Sequence, residues 1–198
     1  MARPRSELAR QKALQAAVEL VVEAGVDGFS VEEVTRRSGV AKTTIYRHWG
    51  ASQDLLFEAL NSMVEPEPEP DTGSLVTDLE AFVDYLLAMQ TEIQSTHRQV
   101  VAGLFAASTM DRRSEQLLRR MFEYRSQPVR VALGRARERG ELSAGVDITL
   151  AADLLMGPIL FRVLLRGDTF ADDEIRALMN FVLTGLGVDP KRRSQGRR

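Results

Sequence analysis

The chain has 198 residues, a formal net charge of −2 and no cysteine. Its 44% hydrophobic and 27% charged residues are typical of a soluble globular protein, and its length accommodates one substantial domain or a small domain attached to a larger one. The lack of cysteine excludes disulfides, thiolate metal sites and the common zinc-finger routes to DNA.

The distribution of charge is more informative than its sum. Residues 1–50 carry 8 Lys and Arg against 6 Asp and Glu, residues 51–190 carry 13 against 22, and residues 191–198 carry 5 against none. An acidic body with a mildly basic N-terminal module is typical of a protein that contacts DNA with one end. Chance asymmetry is the alternative explanation.

No targeting or membrane segment is expected. The first ten residues are polar and basic with no apolar run behind them. The apolar stretches further along are interrupted by charges or look too short to span a bilayer. We therefore expect a cytoplasmic protein with no membrane partner.

The first predicted helix runs from about Ser6 to Ala24. Leu14, Ala17, Val18 and Val21 recur at helical spacing and predict its buried stripe. Gly25 and Gly28 mark the loop that follows, and Phe29 is expected to enter the core. This helix would be a scaffold for the next two.

The stretch from Ser30 to Trp49 predicts two short helices joined by a tight turn. Ser30 can cap the first helix, with Glu33 completing a capping box. Gly39 suits the left-handed conformation of a sharp reversal. The second helix runs from Ala41 to Trp49 and ends at Gly50.

This second helix has two different faces. Ala41, Ile45 and Trp49 are four residues apart and should seat it on the domain. Its other residues can contact phosphates and base edges, which suits a helix in a major groove, although a merely solvated surface is the alternative. Together with the cap residue, the DNA-binding candidates are Ser30, Lys42, Thr43, Thr44, Tyr46, Arg47 and His48.

The remaining pattern is helical, with no convincing strand alternation. The segment EPEPEPD, residues 65–71, cannot be helical and is expected to be a stiff solvated linker. A helix carrying Leu55, Leu56, Ala59, Leu60 and Met63 starts near Ser52, before this linker. Further helices are predicted at 75–95, at 99–108 after a corner at His97, at 114–139 with a kink or restart at Pro128, at 148–165 and at 172–186. The chain is therefore expected to be all-α.

Catalysis is not expected. The chain has two histidines, no phosphate-cradling glycine loop and no cluster of metal ligands. Its densest acidic group, Asp172 to Glu174, has the position of a helix start. We predict no enzyme activity, no cofactor and no metal site.

The stretch GVAKTTIYRHWGASQDLL resembles the recognition-helix signature of the tetracycline-repressor-like (TetR) family of bacterial transcription regulators. The resemblance extends upstream through ALQAAVELVVEAGVDGFSVEEV, and ARERGEL and DITLAADLLMGPILFRVLLRGD are similar to one subgroup of the family's ligand-binding domains. Ser52 stands where the family usually has a lysine that can reach a phosphate.

The resemblance implies about nine helices in two functional regions. Residues 1–51 would form a three-helix, helix-turn-helix DNA-binding domain, residues 52–190 a helical ligand-binding and dimerisation domain, and residues 191–198 a basic disordered tail. The last two helices would pair with those of a second copy. The low polarity of residues 148–165 independently predicts an interface, with burial inside the monomer as the alternative.

The resemblance also implies a function: binding of a palindromic double-stranded operator by a homodimer, with repression released by an unknown small molecule. Lining candidates for the effector pocket are Phe82, Tyr85, Met89, Phe105, Phe122, Met156, Phe161 and Arg162. The protein would be nucleoid-associated in the cytoplasm. The alternative is a DNA-binding protein that senses no ligand and recruits a protein partner through a filled second region.

Overall fold

A computed structural model describes residues 3–64, 66–88 and 92–191. Within these ranges there are ten α-helices, one π-helical segment and no strand, so the all-α prediction is confirmed. The helices are α1 (Arg3–Ala24), α2 (Val31–Ser38), α3 (Lys42–Trp49), α4 (Ser52–Ser62), α5 (Leu75–Ala88), α6 (Glu92–Ser108), α7 (Arg112–Arg125), α8 (Gln127–Glu138), α9 (Ile148–Leu160) and α10 (Asp172–Gly185), with the π-helical segment Phe161–Arg166 continuing α9.

The corner predicted at His97 was wrong, whereas the kink or restart predicted at Pro128 was confirmed as a restart. There is no corner at His97, because α6 begins at Glu92 and runs through it. The predicted helix from 114 to 139 is divided in two, and Pro128 lies in the first turn of α8, where a missing N–H leaves no helical hydrogen bond unmade. The restart is therefore set by the proline.

The chain forms two compact units. The first takes in α1 to α4, α6 and α7 up to Met121, and the second takes in α5, α7 from Phe122, and α8 to α10. The first unit has a core of small and branched side chains from its first four helices. Its buried members are Ala13, Ala16, Ala17, Leu20, Val31, Val34, Val40, Ile45, Trp49, Leu55 and Ala59.

The buried stripe of α1 differs from the predicted one. Ala17 and Val21 are fully buried, but Leu14 and Val18 only pack against the edge of the core. Two alanines and a leucine complete the inward face: Ala13, Ala16 and Leu20. Small side chains let α1 lie close to the helices it supports, which apolarity alone did not reveal.

Helix α4 belongs to the packing of the first unit. Leu55 and Ala59 are fully buried in its core. The guanidinium of Arg120 on α7 lies 4.0 Å above the ring of Phe57, and its Nη1 donates to Asp54 at 2.6 Å. The functional division at residue 51 thus stays a prediction, while the compact unit itself extends past α4.

The second unit has a larger core shared by α5, α8, α9 and α10. Leu79, Val83, Leu133, Leu155 and Leu183 are among its buried members. The glycine at position 140 has a φ of 76°, the left-handed region that ends α8 without strain.

The proline-rich segment, residues 66–71, is not helical, as predicted, but it is not a freely solvated linker. Glu67 is 8% exposed and forms an ion pair of 2.9 Å with Arg125, which is 14% exposed. Arg135 donates to the carbonyl of Pro70 at 3.3 Å, and Asp71 lies 3.7 Å from both Arg135 and Arg139. The acidic residues of this segment form ion pairs with arginines at the ends of α7 and α8. A local sequence pattern does not reveal such pairs.

One helix is long and apolar enough to span a bilayer, by length and composition only, so the expectation that no stretch could do so was wrong. Among the described residues, the continuous helix Ile148–Arg166 has 19 residues and a mean hydropathy of 1.9 over its most apolar window. Only 28% of that window is buried. The exposed apolar side of this helix therefore needs a covering surface.

Candidate DNA-binding site

The turn between α2 and α3 is built as its residues predict. The Oγ of Ser30 accepts from the backbone N–H of Glu33 at 3.2 Å, which caps α2. Gly39 has a φ of 69°, and its N–H donates to the carbonyl of Thr35. The helix therefore ends in the left-handed conformation that glycine adopts without a Cβ penalty.

The carboxylate of Glu33 does not close the expected capping box. It accepts from Arg36 and Arg37 instead, at 2.6 to 2.8 Å. These bonds, from Arg36 first and then Arg37, lower the pKa of Glu33 to about 2. Arg37 also forms an ion pair with Glu23 of α1 at 2.7 Å, and this pair connects α2 to the scaffold helix α1.

Helix α3 is anchored by its apolar side. Ile45 is 1% exposed and Trp49 is 7% exposed, as predicted. Ala41 was wrongly placed on this side: it precedes the helix with a ψ of 138° and is exposed. Val40, which is 8% exposed, belongs to the buried core instead.

The opposite side of α3 faces solvent. Lys42, Thr43, Tyr46 and Arg47 are exposed, and Tyr46 keeps 39% of its surface accessible. Thr44 and His48 are half-buried. The helix thus presents hydrogen-bond donors, acceptors and a phenol ring on one face.

His48 and Ser30 have local partners. The Nε2 of His48 lies 3.1 Å from the Oγ of Ser6, which joins the end of α3 to α1. The Oγ of Ser30 is occupied by its cap bond, and the residue is half-buried. Their contact with DNA stays a prediction.

Lys42 is held by an acid that sequence reasoning missed. Its ammonium forms an ion pair with Glu32 of α2, and this hydrogen bond raises the pKa of Lys42. The same ammonium lies 5.9 Å from the ring centroid of Tyr46. Lys42 thus already has an anionic partner, the carboxylate of Glu32, beside the outward face of α3.

The candidate effector residues differ in burial. Phe82 and Met156 are packed in the core of the second unit, at 3% and 8% exposure. Phe161 is 55% exposed, whereas Tyr85 and Phe122 are half-buried. Met89 lies outside the described residues.

Phe105 and Arg162 differ from the other candidates in location or in partners. Phe105 belongs to the first compact unit and is 37% exposed, whereas the other described candidates belong to the second. Arg162 pairs with Glu174 at 2.6 Å and lies over the ring of Phe170 at 4.1 Å. A ligand role for these residues stays a prediction. Within the ranges that the structure covers, no three His, Cys, Asp or Glu side chains are grouped to hold a metal.

Two family models match the chain. The model described as bacterial regulatory proteins of the tetR family matches residues 13–60, which include the helix-turn-helix. The model described as the tetracyclin repressor-like C-terminal domain matches residues 69–182. The two together span most of both compact units.

Relatives and solved structures agree with the family models. The HTH-type transcriptional regulator YdeS of Bacillus subtilis is 31% identical over 186 residues, which cover 93% of this chain and 92% of YdeS. The DNA-binding transcriptional repressor TetR of Mycobacteroides abscessus is 29% identical over 185 residues, covering 92% and 95%. The crystal structure of the TetR family transcription regulator SCO0332 is 27% identical, covers 89% of this chain and 97% of its own, and has a TM-score of 0.67.

The match covers both the helix-turn-helix and the helical region behind it, and these relatives are regulators, not enzymes. The chain therefore belongs to the TetR family of bacterial regulatory proteins and is a helix-turn-helix, DNA-binding transcriptional regulator.

Proposed function

We propose that this regulator is a homodimeric, nucleoid-associated repressor that reads a palindromic operator with α3 and is released by a small molecule bound in its second region. The observation that carries the DNA-reading part is the division of α3, with Ile45 and Trp49 buried and Tyr46 and Arg47 exposed. Repression is supported by the relative from Mycobacteroides abscessus, whose name describes a DNA-binding repressor.

The proposed contacts with DNA are of two kinds, to base edges and to the phosphate backbone. Tyr46 and Arg47 can reach base edges, because they stand on the exposed face of α3 opposite its anchors. Lys42, Thr43 and Thr44 lie at the start of the helix, where backbone amides also favour phosphate oxygens. His48 is held by Ser6 and would contact the backbone at the other end.

Lys42→Ala is expected to weaken binding to every DNA sequence by a similar factor. Removal of one phosphate contact should reduce the slope of log affinity against log salt by about 0.9. Fluorescence anisotropy at four salt concentrations, with operator and unrelated duplexes, measures both quantities. Glu32→Gln is the matched control, since it frees Lys42 from its local anion and should strengthen binding at low salt. An unchanged salt dependence in Lys42→Ala would show that Lys42 pairs with Glu32 and contacts no phosphate.

The proposed dimer interface is the exposed apolar face of α9, its π-helical continuation and α10. Leu150, Leu154, Phe161, Leu165 and Phe181 are each between 52% and 77% exposed. Several large apolar side chains exposed on neighbouring helices are unusual on a monomer and are typical of an interface. A two-fold symmetric dimer suits a palindromic operator, whose half-sites lie about one DNA turn, roughly 34 Å, apart.

Leu154→Glu is expected to convert the dimer to a monomer at micromolar concentration, because it introduces a charge at the middle of this face. Analytical ultracentrifugation gives the mass, and operator binding should fall with it. Met110→Glu is the control, since Met110 is 92% exposed and lies outside the face. A Leu154→Glu protein that remains dimeric would place the interface elsewhere.

Release by an effector requires a ligand that prefers the state with misplaced recognition helices. A panel of apolar and amphipathic compounds is titrated against the protein bound to a labelled duplex from its own upstream region. We expect at least one compound to weaken binding by about 5- to 150-fold, the usual range of such coupling. An unrelated repressor on its own duplex controls for compounds that bind DNA.

Recruitment of a protein partner without ligand sensing is the second candidate function. It is favoured by the packing of Phe82 and Met156 into the core and by the pairing of Arg162 with Glu174, which leaves these three candidates engaged with the protein itself. Intact operator binding that no compound in the panel weakens would select this alternative.

A further inference from the structure

The last residue of α3 is tied to the rest of the first unit by a directed bond. Trp49 is 7% exposed, and its indole Nε1 donates to the Oε2 of Glu58 on α4 at 2.7 Å. A buried indole N–H needs such a partner, because an unpaired donor loses its hydration without compensation. Glu58 supplies the acceptor.

The second oxygen of the same carboxylate is also occupied. Glu58 Oε1 accepts from the guanidinium of Arg10 on α1, which lies 5.9 Å from the centroid of the Trp49 ring. Glu58 and Arg10 are 31% and 35% exposed, so their ion pair by itself contributes little stability. Its significance is geometric, because one carboxylate joins the scaffold helix, the outward-facing helix and α4.

Apolar packing alone does not set the angle of a short helix. Ile45 and Trp49 bury α3, yet contacts of this kind have no preferred direction and permit small rotations and slides. A hydrogen bond is directional, and weakens steeply away from its preferred angle. Base-edge contacts by Tyr46 and Arg47 depend on that angle, because readout requires placement to within about 0.5 Å.

We propose that Glu58 is a positioning residue for DNA recognition, which fixes the orientation of α3 through the Trp49 indole and Arg10 without touching DNA. This inference rests on the proposed role of α3 as the reading helix. It predicts a loss of discrimination between operator and other DNA, and little loss of DNA affinity as such.

The test compares operator and unrelated duplexes by fluorescence anisotropy. Glu58→Ala is expected to reduce the ratio of the two affinities about tenfold, which corresponds to the loss of one well-placed hydrogen bond. Trp49→Phe keeps an aromatic ring but removes the donor, and should reduce the ratio similarly. Because both variants lose the same bond, the double variant should be no worse than either single one.

Two control variants distinguish a positioning role of Glu58 from an effect of its charge, and thermal melts distinguish it from an effect on folding. Glu7→Ala removes the other carboxylate paired with Arg10, at 3.4 Å, without touching Trp49; it should leave the ratio unchanged. Glu58→Gln keeps an oxygen that can accept from Trp49 and should restore much of the discrimination. Circular dichroism melts show that each variant is folded under the binding conditions.

The outcomes are distinct. A wild-type protein that does not discriminate between duplexes contradicts the reading role of α3. A discriminating wild type with unchanged ratios in Glu58→Ala and Trp49→Phe overturns the positioning role. Equal losses on both duplexes, in proportion to the unfolded fraction, would assign Glu58 to stability alone. Trp49→Phe decides the matter should Glu58→Ala fail to fold.

Discussion

Tyr46→Ala and Arg47→Ala are each expected to weaken operator binding by about 5- to 150-fold, because a good base contact contributes about 1–3 kcal/mol of discrimination. Both side chains are exposed on α3, and neither contributes to the buried core of the first unit. Helical content and oligomeric mass should therefore be unchanged. Electrophoretic mobility shift with the upstream duplex measures operator binding, circular dichroism measures helical content, and analytical ultracentrifugation measures mass.

The control for this pair is Arg119→Ala. Arg119 is an exposed arginine on α7 that pairs with Glu115 at 3.1 Å, and its removal also lowers the positive charge by one. Operator affinity in this variant should stay within about twofold of wild type. Retained operator binding by Tyr46→Ala or Arg47→Ala would remove that residue from the recognition surface.

Glu67→Ala is expected to destabilise the second unit by about 3 kcal/mol, the lower end of the range for breaking a buried ion pair. The loss arises because Arg125 would keep its charge with little access to water: its side chain is 14% exposed, and among the described residues its Nη2 has no hydrogen-bond partner. Burial raises the pKa of Glu67 despite the nearby arginine, so the pair itself adds little net stability. The damage comes from leaving one partner alone.

Urea denaturation at fixed protein concentration measures this effect as a lower midpoint. Glu69→Ala is a matched control, because Glu69 is an exposed acid two residues away in the same proline-rich segment; exposed substitutions usually change stability by less than about 0.5 kcal/mol. Glu67→Gln should lose less than Glu67→Ala, since its amide oxygen can still accept from Arg125. Equal midpoints for Glu67→Ala and Glu69→Ala would show that the segment is not held by this pair.

Much of the helix-turn-helix can be predicted from the sequence because its signals are local. Ser30 caps within three residues, Gly39 ends α2, and Ile45 and Trp49 recur at the period of the helix. The outward direction of Tyr46 follows from that same period. Two errors remained: Ala41 lies outside the regular helix, and the carboxylate of Glu33 pairs with Arg36 and Arg37 instead of closing the capping box.

The candidate effector residues show the limit of periodicity. Phe82, Met156 and Phe161 have the same apolar character and lie on helices, yet two are packed in the core and one is exposed. A helical period identifies an apolar face but not what covers it, whether a neighbouring helix, a ligand or a second copy. Those alternatives differ only in the packing of distant segments.

Local patterns in the chain were sufficient for the helical fold, the turn before α3 and the division of that helix into an anchored and an exposed face, because capping and periodicity act over about four residues. Three-dimensional packing was needed to pair Glu58 with Arg10 and Glu67 with Arg125, which are 48 and 58 residues apart. No local rule relates such partners. Their meeting depends on how whole helices bury their apolar faces, and the charged side chains then pair with whatever those faces bring near.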